Sequence, residues 1–217
     1  MEPIKNLLTR YKMVDNRKNQ GYIEFGGCVA AGFFVCIFGR IKAMKKILVV
    51  VDMQNDFIDG ALGTAEAAGI VDNVVRKIHS YPPDCIYATR DTHGKDYLAT
   101  QEGKYLPVEH CIKGTKGWEI RKEVAQAMPE AVLVDKPVFG SEELVQKLRE
   151  VSRKEEIEIE LVGLCTDICV VTNALLMKTA MPETRVCVDA SCCAGVTPES
   201  HAAALLTMKM CQVEIRE

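Results

Sequence analysis

The chain has 217 residues, enough for one well-buried domain and short for two. Its 27 basic and 30 acidic residues leave a formal net charge of −3, with neither a basic stripe for a phosphate backbone nor an acidic tail, which argues against nucleic acid as a partner. Ten cysteines lie scattered through apolar segments, as at Cys85, Cys187 and Cys211, with no CxxC spacing; this argues against a secreted disulfide scaffold or a zinc ribbon and for a reducing cytoplasm.

Residues 1–43 read differently from the rest. The polar, basic stretch LLTRYKMVDNRKNQ leads into an apolar run from Phe25 to Gly39, followed by Arg40 and Lys42. A run of about 15 residues falls short of the about 20 that span a bilayer and fits a signal-peptide apolar region or a peripheral anchor. We favour a translation start at Met44, because MKKILVVVDMQ enters a strand at once. Residues 1–43 are then an extension outside the fold and 44–217 one domain. Membrane association is expected only if the extension is a real anchor.

From Lys45, short β-branched runs alternate with amphipathic helical windows, the pattern of a parallel sheet with crossover helices. KILVVVD ends at Asp52 and reads as a strand buried on both faces. Ile70, Val74 and Ile78 repeat at helical spacing, and CIYATR is a second strand ending at Arg90. The stretch from Asp91 to Trp118 carries Gly94, Gly103, Pro107, Gly114 and Gly117 and is expected to be a functional loop, since irregular connections of this length are uncommon in compact domains. AVLVDK ends at Lys136, and Ser141 caps a helix bearing Leu144, Leu148 and Val151. IEIELVG ends at Gly163 and RVCVDA at Ala190; Thr197-Pro198 opens a helix, and CQVEI closes the chain. The expected fold is α/β, a three-layer sandwich around a six-stranded parallel sheet. Asp52, Arg90-Asp91, Lys136, Cys165 to Cys169 and Ser191 to Cys193 all follow carboxyl ends of these strands, the edge where such sheets bind ligands.

Asp52 ends an apolar strand, where a carboxylate needs a partner, and Lys136 ends another. Taken alone, Asp52 also suits a turn and Lys136 a solvated surface. In VGLCTDICVV, a turn through Thr166 and Asp167 leads into a helix whose first turn holds Cys169. Unpaired backbone N–H groups, the helix dipole and a neighbouring lysine there favour a thiolate, and a shift of about two units would make the thiol mostly ionised. Cys165 belongs to the strand end and has no such help. RDTH and EHC supply Asp91, His93 and His110, two imidazoles and a carboxylate that a divalent transition metal with open positions accepts, with Glu102 as a fourth ligand. His110 could equally hydrogen-bond a loop, and His79 and His201 read as structural or solvated.

VVVDMQNDF, RDTH, LPVEHCIKGTKGW, KPVFGS and VGLCTDICVVTNAL occur in one order, and together they resemble the isochorismatase-like cysteine hydrolases, most closely the nicotinamidases, from about Met44 to the C-terminus. The resemblance implies a catalytic triad of Asp52, Lys136 and Cys169, a cis peptide before Cys165, and an oxyanion held by the backbone N–H groups of Cys165 and Cys169. It implies a divalent metal on Asp91, His93 and His110, with Glu102 added as in some members; zinc is the expected ion, and iron and manganese are alternatives. The implied reaction is hydrolysis of a small carboxamide, nicotinamide, to nicotinate and ammonia through a cysteine thioester, in a homo-oligomer. Phe57 is expected to be an apolar wall for substrate. Many relatives carry a Trp and paired prolines before the last His, whereas this chain has Leu106, Pro107, Val108 and Glu109, which removes a ring-stacking aromatic. The alternatives are a carbamoyl-amine or ureidoacrylate-type hydrolase and a non-catalytic thiol sensor pairing Cys165 with Cys169. Isochorismate ether hydrolysis fits less well, because it does not need the nucleophilic cysteine.

Overall fold

The first strand, β1 (Lys45–Val51), is buried from Ile47 onward, and its alternate residues face two different apolar layers. The computed structural model describes residues 44–217, so the expectations for residues 1–43 lie outside the described residues. Ile47, Val49 and Val51 pack with Leu144, Leu148, Ala174, Met177 and Met208, while Leu48 and Val50 pack with Ile58, Val74, Ile78 and Val124. This division makes β1 the centre of a three-layer arrangement.

Beyond β1 come α1 (Asn55–Ile58), α2 (Ala65–Gly69), α3 (Val71–His79), β2 (Ile86–Asp91), α4 (Gln101–Tyr105), α5 (Lys122–Ala127) and β3 (Val132–Lys136). The second half contributes α6 (Glu142–Ser152), β4 (Ile157–Leu164), α7 (Val171–Ala180), β5 (Arg185–Ala194), α8 (Pro198–Met210) and β6 (Glu214–Arg216). The six strands form one sheet in the order β3-β2-β1-β4-β5-β6, and every pair is parallel. The chain winds outward from β1 through β2 to β3, then returns to the other side of β1 at β4. Connections therefore diverge above the carboxyl ends of β1 and β4, the switch point at which sheets of this kind bind ligands.

Local signals behave as the sequence predicts at several ends. Ser141 Oγ accepts the Leu144 N–H at the start of α6, and Thr197 and Ser200 form a reciprocal capping box with Pro198 in the first turn of α8. Two expectations change. The strand predicted to stop at Ala190 runs to Ala194, because its pairing with β4 shifts register between Leu161 and Gly163; Ser191 to Cys193 lie within the strand instead of beyond it. The connection after Asp91 is not wholly irregular: it holds a 3-10 turn, Tyr97–Ala99, and α4, capped by Thr100. Among the described residues, no helix is long and apolar enough to cross a membrane.

Candidate active site

Three strand ends meet at Lys136. Its Nζ lies 2.7 Å from Asp52 Oδ2, 3.2 Å from Asp91 Oδ1 and 3.4 Å from Cys169 Sγ, and donates to Val138 O at 3.1 Å. Asp52 follows β1 in a left-handed conformation (φ 47°), which turns its side chain under the sheet edge. Thr89 on β2 holds it from the other side, donating its hydroxyl to Oδ1 at 2.7 Å. Asp52, Lys136 and Cys169 are all buried.

Burial raises the Asp52 carboxyl above its ordinary value, against the pull of Lys136. Burial alone would lower Lys136, but Asp52, Cys169 and Asp91 outweigh it, so the ammonium is held charged. Cys169 departs from expectation. Burial, then the Asp52 carboxylate, push its thiol well above the ordinary range, and Lys136 offsets only part of this. One ammonium already faces two carboxylates, and a third negative charge in the same dry space is disfavoured. The resting sulfur is a thiol with its proton next to a carboxylate of raised basicity.

Cys169 sits in a π-helical turn, Thr166–Val170, between β4 and α7. Gly163 precedes the turn at φ 117°, and a Cβ there would overlap Val51 O, so only glycine lets β4 close against β1. The Leu164–Cys165 peptide is cis. Cys165 O accepts the N–H groups of Ile168 and Val170, while burial pushes its thiol up to about 12. Three partners of this turn escape a sequence reading. Asn173, fully buried, donates to Cys169 O at 2.8 Å and Phe139 O at 3.2 Å and accepts from the Ser141 N–H at 3.0 Å, tying the segment after Lys136 to the sulfur's own turn. Thr166 Oγ1 lies 2.8 Å from Nδ1 of His201, so that histidine braces the turn from α8. Asp167 accepts the Val196 N–H with both oxygens.

A second constellation adjoins the first. Ligand atoms of Asp91, His93, Glu102 and His110 lie within 4.8 Å of one another. His93 Nε2 is 2.8 Å from Asp91 Oδ2 and 3.7 Å from Glu102 Oε1, and His110 Nε2 is 3.7 Å and 3.8 Å from the same two oxygens. His93 Nε2 is buried, and although Asp91 Oδ2 lies 2.8 Å away the pair lacks good hydrogen-bond geometry. His110 Nδ1 lies 2.8 Å from Val108 O, a contact that places the ring proton on Nδ1 and leaves the Nε2 lone pair facing the group. Two imidazoles and two carboxylates with their ligand atoms converging on one buried spot fit a divalent cation, with zinc, iron and manganese all suited to the donor set.

Tyr97, fully buried, packs against both imidazoles at centroid distances of 4.7 Å and 5.0 Å, and its hydroxyl donates to Leu106 O. Its place in an apparent loop hid that role. Phe57 packs in the apolar layer with its ring 5.6 Å from that of His110. Asp91 belongs to both constellations, one oxygen toward Lys136 and the other toward the imidazoles.

The family model described as Isochorismatase domain matches residues 46–217. The curated nicotinamidase/pyrazinamidase of Mycobacterium tuberculosis is 28% identical over 185 residues, covering 78% of this chain and 97% of that protein. The crystal structure of the pyrazinamidase of Pyrococcus horikoshii in complex with zinc aligns with a TM-score of 0.66 at 26% identity, covering 80% of this chain and 99% of that one. The nicotinamidase/pyrazinamidase of Bacillus subtilis aligns with a TM-score of 0.68 at 27% identity, covering 80% and 100%.

Proposed function

This chain belongs to the isochorismatase domain family, and from that premise we propose that it is an amidohydrolase converting nicotinamide to nicotinate and ammonia through a thioester on Cys169. The observation that carries this reading is the meeting of Asp52, Lys136 and Cys169 around one buried ammonium, beside a group of metal-donor atoms that shares Asp91. The nicotinamidase relatives add support at modest identity.

In this mechanism Asp52 takes the Cys169 proton as the sulfur attacks the carboxamide carbon. The backbone N–H groups of Cys165 and Cys169 hold the oxyanion that forms. Asp52 returns its proton to the departing ammonia, leaving a thioester. It then removes a proton from water as water attacks, and the released sulfur regains a proton. A carboxyl of raised basicity suits both transfers, and Lys136 keeps the changing negative charge compensated. Asp91, His93, His110 and Glu102 would hold the metal, zinc by preference, which when bound supplies a Lewis acid that anchors the pyridine nitrogen. Phe57, whose ring lies 5.6 Å from that of His110, would supply an apolar wall for the substrate. The free cysteines among the described residues, most of them buried, support a reducing cytoplasm, and a homo-oligomer belongs to the same reading.

The test is ammonia release from nicotinamide, pyrazinamide and a panel of ureido compounds, with and without chelator. Nicotinamide and pyrazinamide should turn over, chelation should suppress both, and Cys169→Ala should abolish turnover with the melting midpoint preserved. A Cys169→Ala enzyme with near-normal rate would sink the covalent route. Leu106 and Val108, standing where many relatives carry an aromatic, remove a ring-stacking contact and leave one rival, a carbamoyl-amine or ureido hydrolase. Activity that survives Asp91→Ala and His93→Ala would select it.

A further inference from the structure

We propose that Gln54 and Asp56 are positioning residues of the metal group: Gln54 fixes the peptide of Asp91, Asp56 fixes the peptide after His110, and the two bring ligands from separate segments together. The inference rests on the metal reading of that group, and not on which carboxamide is hydrolysed.

The sheet itself leaves Asp91 unsupported on one side. Pairing between β1 and β2 ends with Val50 opposite Ala88, whereas on its other side Asp91 still pairs with Lys136. Gln54 replaces the missing strand. Its Oε1 accepts the Asp91 N–H at 2.7 Å, and its Nε2 donates to Asp91 O at 2.8 Å and Trp118 O at 2.9 Å. The side chain is fully buried, and a primary amide offers the one acceptor and two donors that this setting uses. A carboxylate of the same shape would set negative oxygen against two carbonyls.

Asp56 does the corresponding work on the other ligand segment. Its Oδ2 accepts the Cys111 N–H at 2.7 Å, and Cys111 O accepts the His93 N–H at 3.0 Å. Cys111 has a left-handed backbone (φ 49°), a conformation that needs such fixing in a residue with a side chain, and it directly follows His110. The loop presses main chain against the carboxylate: a Cβ on Gly117 would overlap Asp56 Oδ1 and Oδ2. Asn55, between the two, binds Lys116 O through its amide and Glu119 O through its N–H, so the tripeptide fastens the whole returning segment. Displacing either anchor moves a ligand without removing it.

The experiment uses the full chain stripped of metal. Zinc affinity is measured by competition with a chromophoric chelator, and urea midpoints are measured in EDTA, for the unsubstituted protein, Gln54→Glu, Asp56→Ala and Asp56→Asn. Gln54→Glu and Asp56→Ala should weaken zinc binding by about 10- to 100-fold. Asp56→Asn keeps an oxygen for the Cys111 N–H and should bind zinc close to the unsubstituted chain. Should Gln54→Glu fail to fold, the Asp56 pair decides. Unchanged zinc affinity alongside a lowered metal-free midpoint would assign these residues to folding alone and overturn the proposal, as would an unsubstituted chain that binds no zinc. A chain that binds zinc but releases no ammonia from nicotinamide would instead remove the substrate reading and leave this one standing.

Discussion

At the scale of single residues, the acid–base behaviour of the pocket turns on Asp52. A carboxyl raised by burial keeps its proton to higher pH than an exposed one, and the proposed attack needs it deprotonated. As pH falls through its pKa, Asp52 becomes protonated and kcat/KM for nicotinamide should drop. Because the shift is upward, that acid limb should lie above the ordinary carboxylate range. A pH profile flat down to the range of an exposed Asp would count against Asp52 as the base. The positions of Asp52, Lys136 and Cys169 were legible because each ends or follows an apolar strand, where a polar group stands out. The ionisation of Cys169 was not. Helix-end electrostatics can be inferred from local order, but complete burial beside a carboxylate depends on which other strand arrives next to it. Asn173 and Gln54 were illegible for a related reason: in sequence, a buried amide with every bond satisfied looks the same as a solvated one.

Among the secondary elements, β4 carries an unexpected burden. Glu158 and Glu160 are buried in this central strand, on the same side as Val162 and Leu164. Arg216 of β6 reaches across β5 to both, at 2.9 Å each; Arg185 adds a contact to Glu158, and Tyr81 and Lys77 add contacts to Glu160. This latch helps hold a three-residue edge strand that has few ladder bonds of its own. Arg216→Ala should therefore cost about 2–3 kcal/mol, below the full cost of stripping a buried ion pair because the remaining partners stay. Urea unfolding would measure it, and hydrogen exchange should show faster amide exchange in β6. A change within about 0.5 kcal/mol, typical of exposed positions, would rule the latch out. The strands were readable from their apolar runs to within a few residues. The extension of β5 was not, since the register shift that carries Ser191 into the sheet is a property of the pair.

At the scale of the molecule, the described residues, 44–217, hold the six strands, both apolar layers and both constellations, and the family match covers 46–217. We propose that this span is the folding unit. A chain begun at Met44 should keep the melting midpoint and ammonia release of the longer one; a lower midpoint or lost turnover would show that the first 43 residues contribute to the fold. The layer architecture was evident beforehand because alternating strands and helices admit few arrangements. How far the ligand segments interlock became visible only with the tertiary structure.

Asp91 joins the two halves of the pocket through a single carboxylate, with one oxygen on Lys136 and the other among the imidazoles. A cation held by the imidazole-facing oxygen would draw electron density from the other and loosen its grip on the ammonium. Metal-loaded and metal-free protein would then present different electric fields to the amide of the proposed substrate, even with every side chain in the same place.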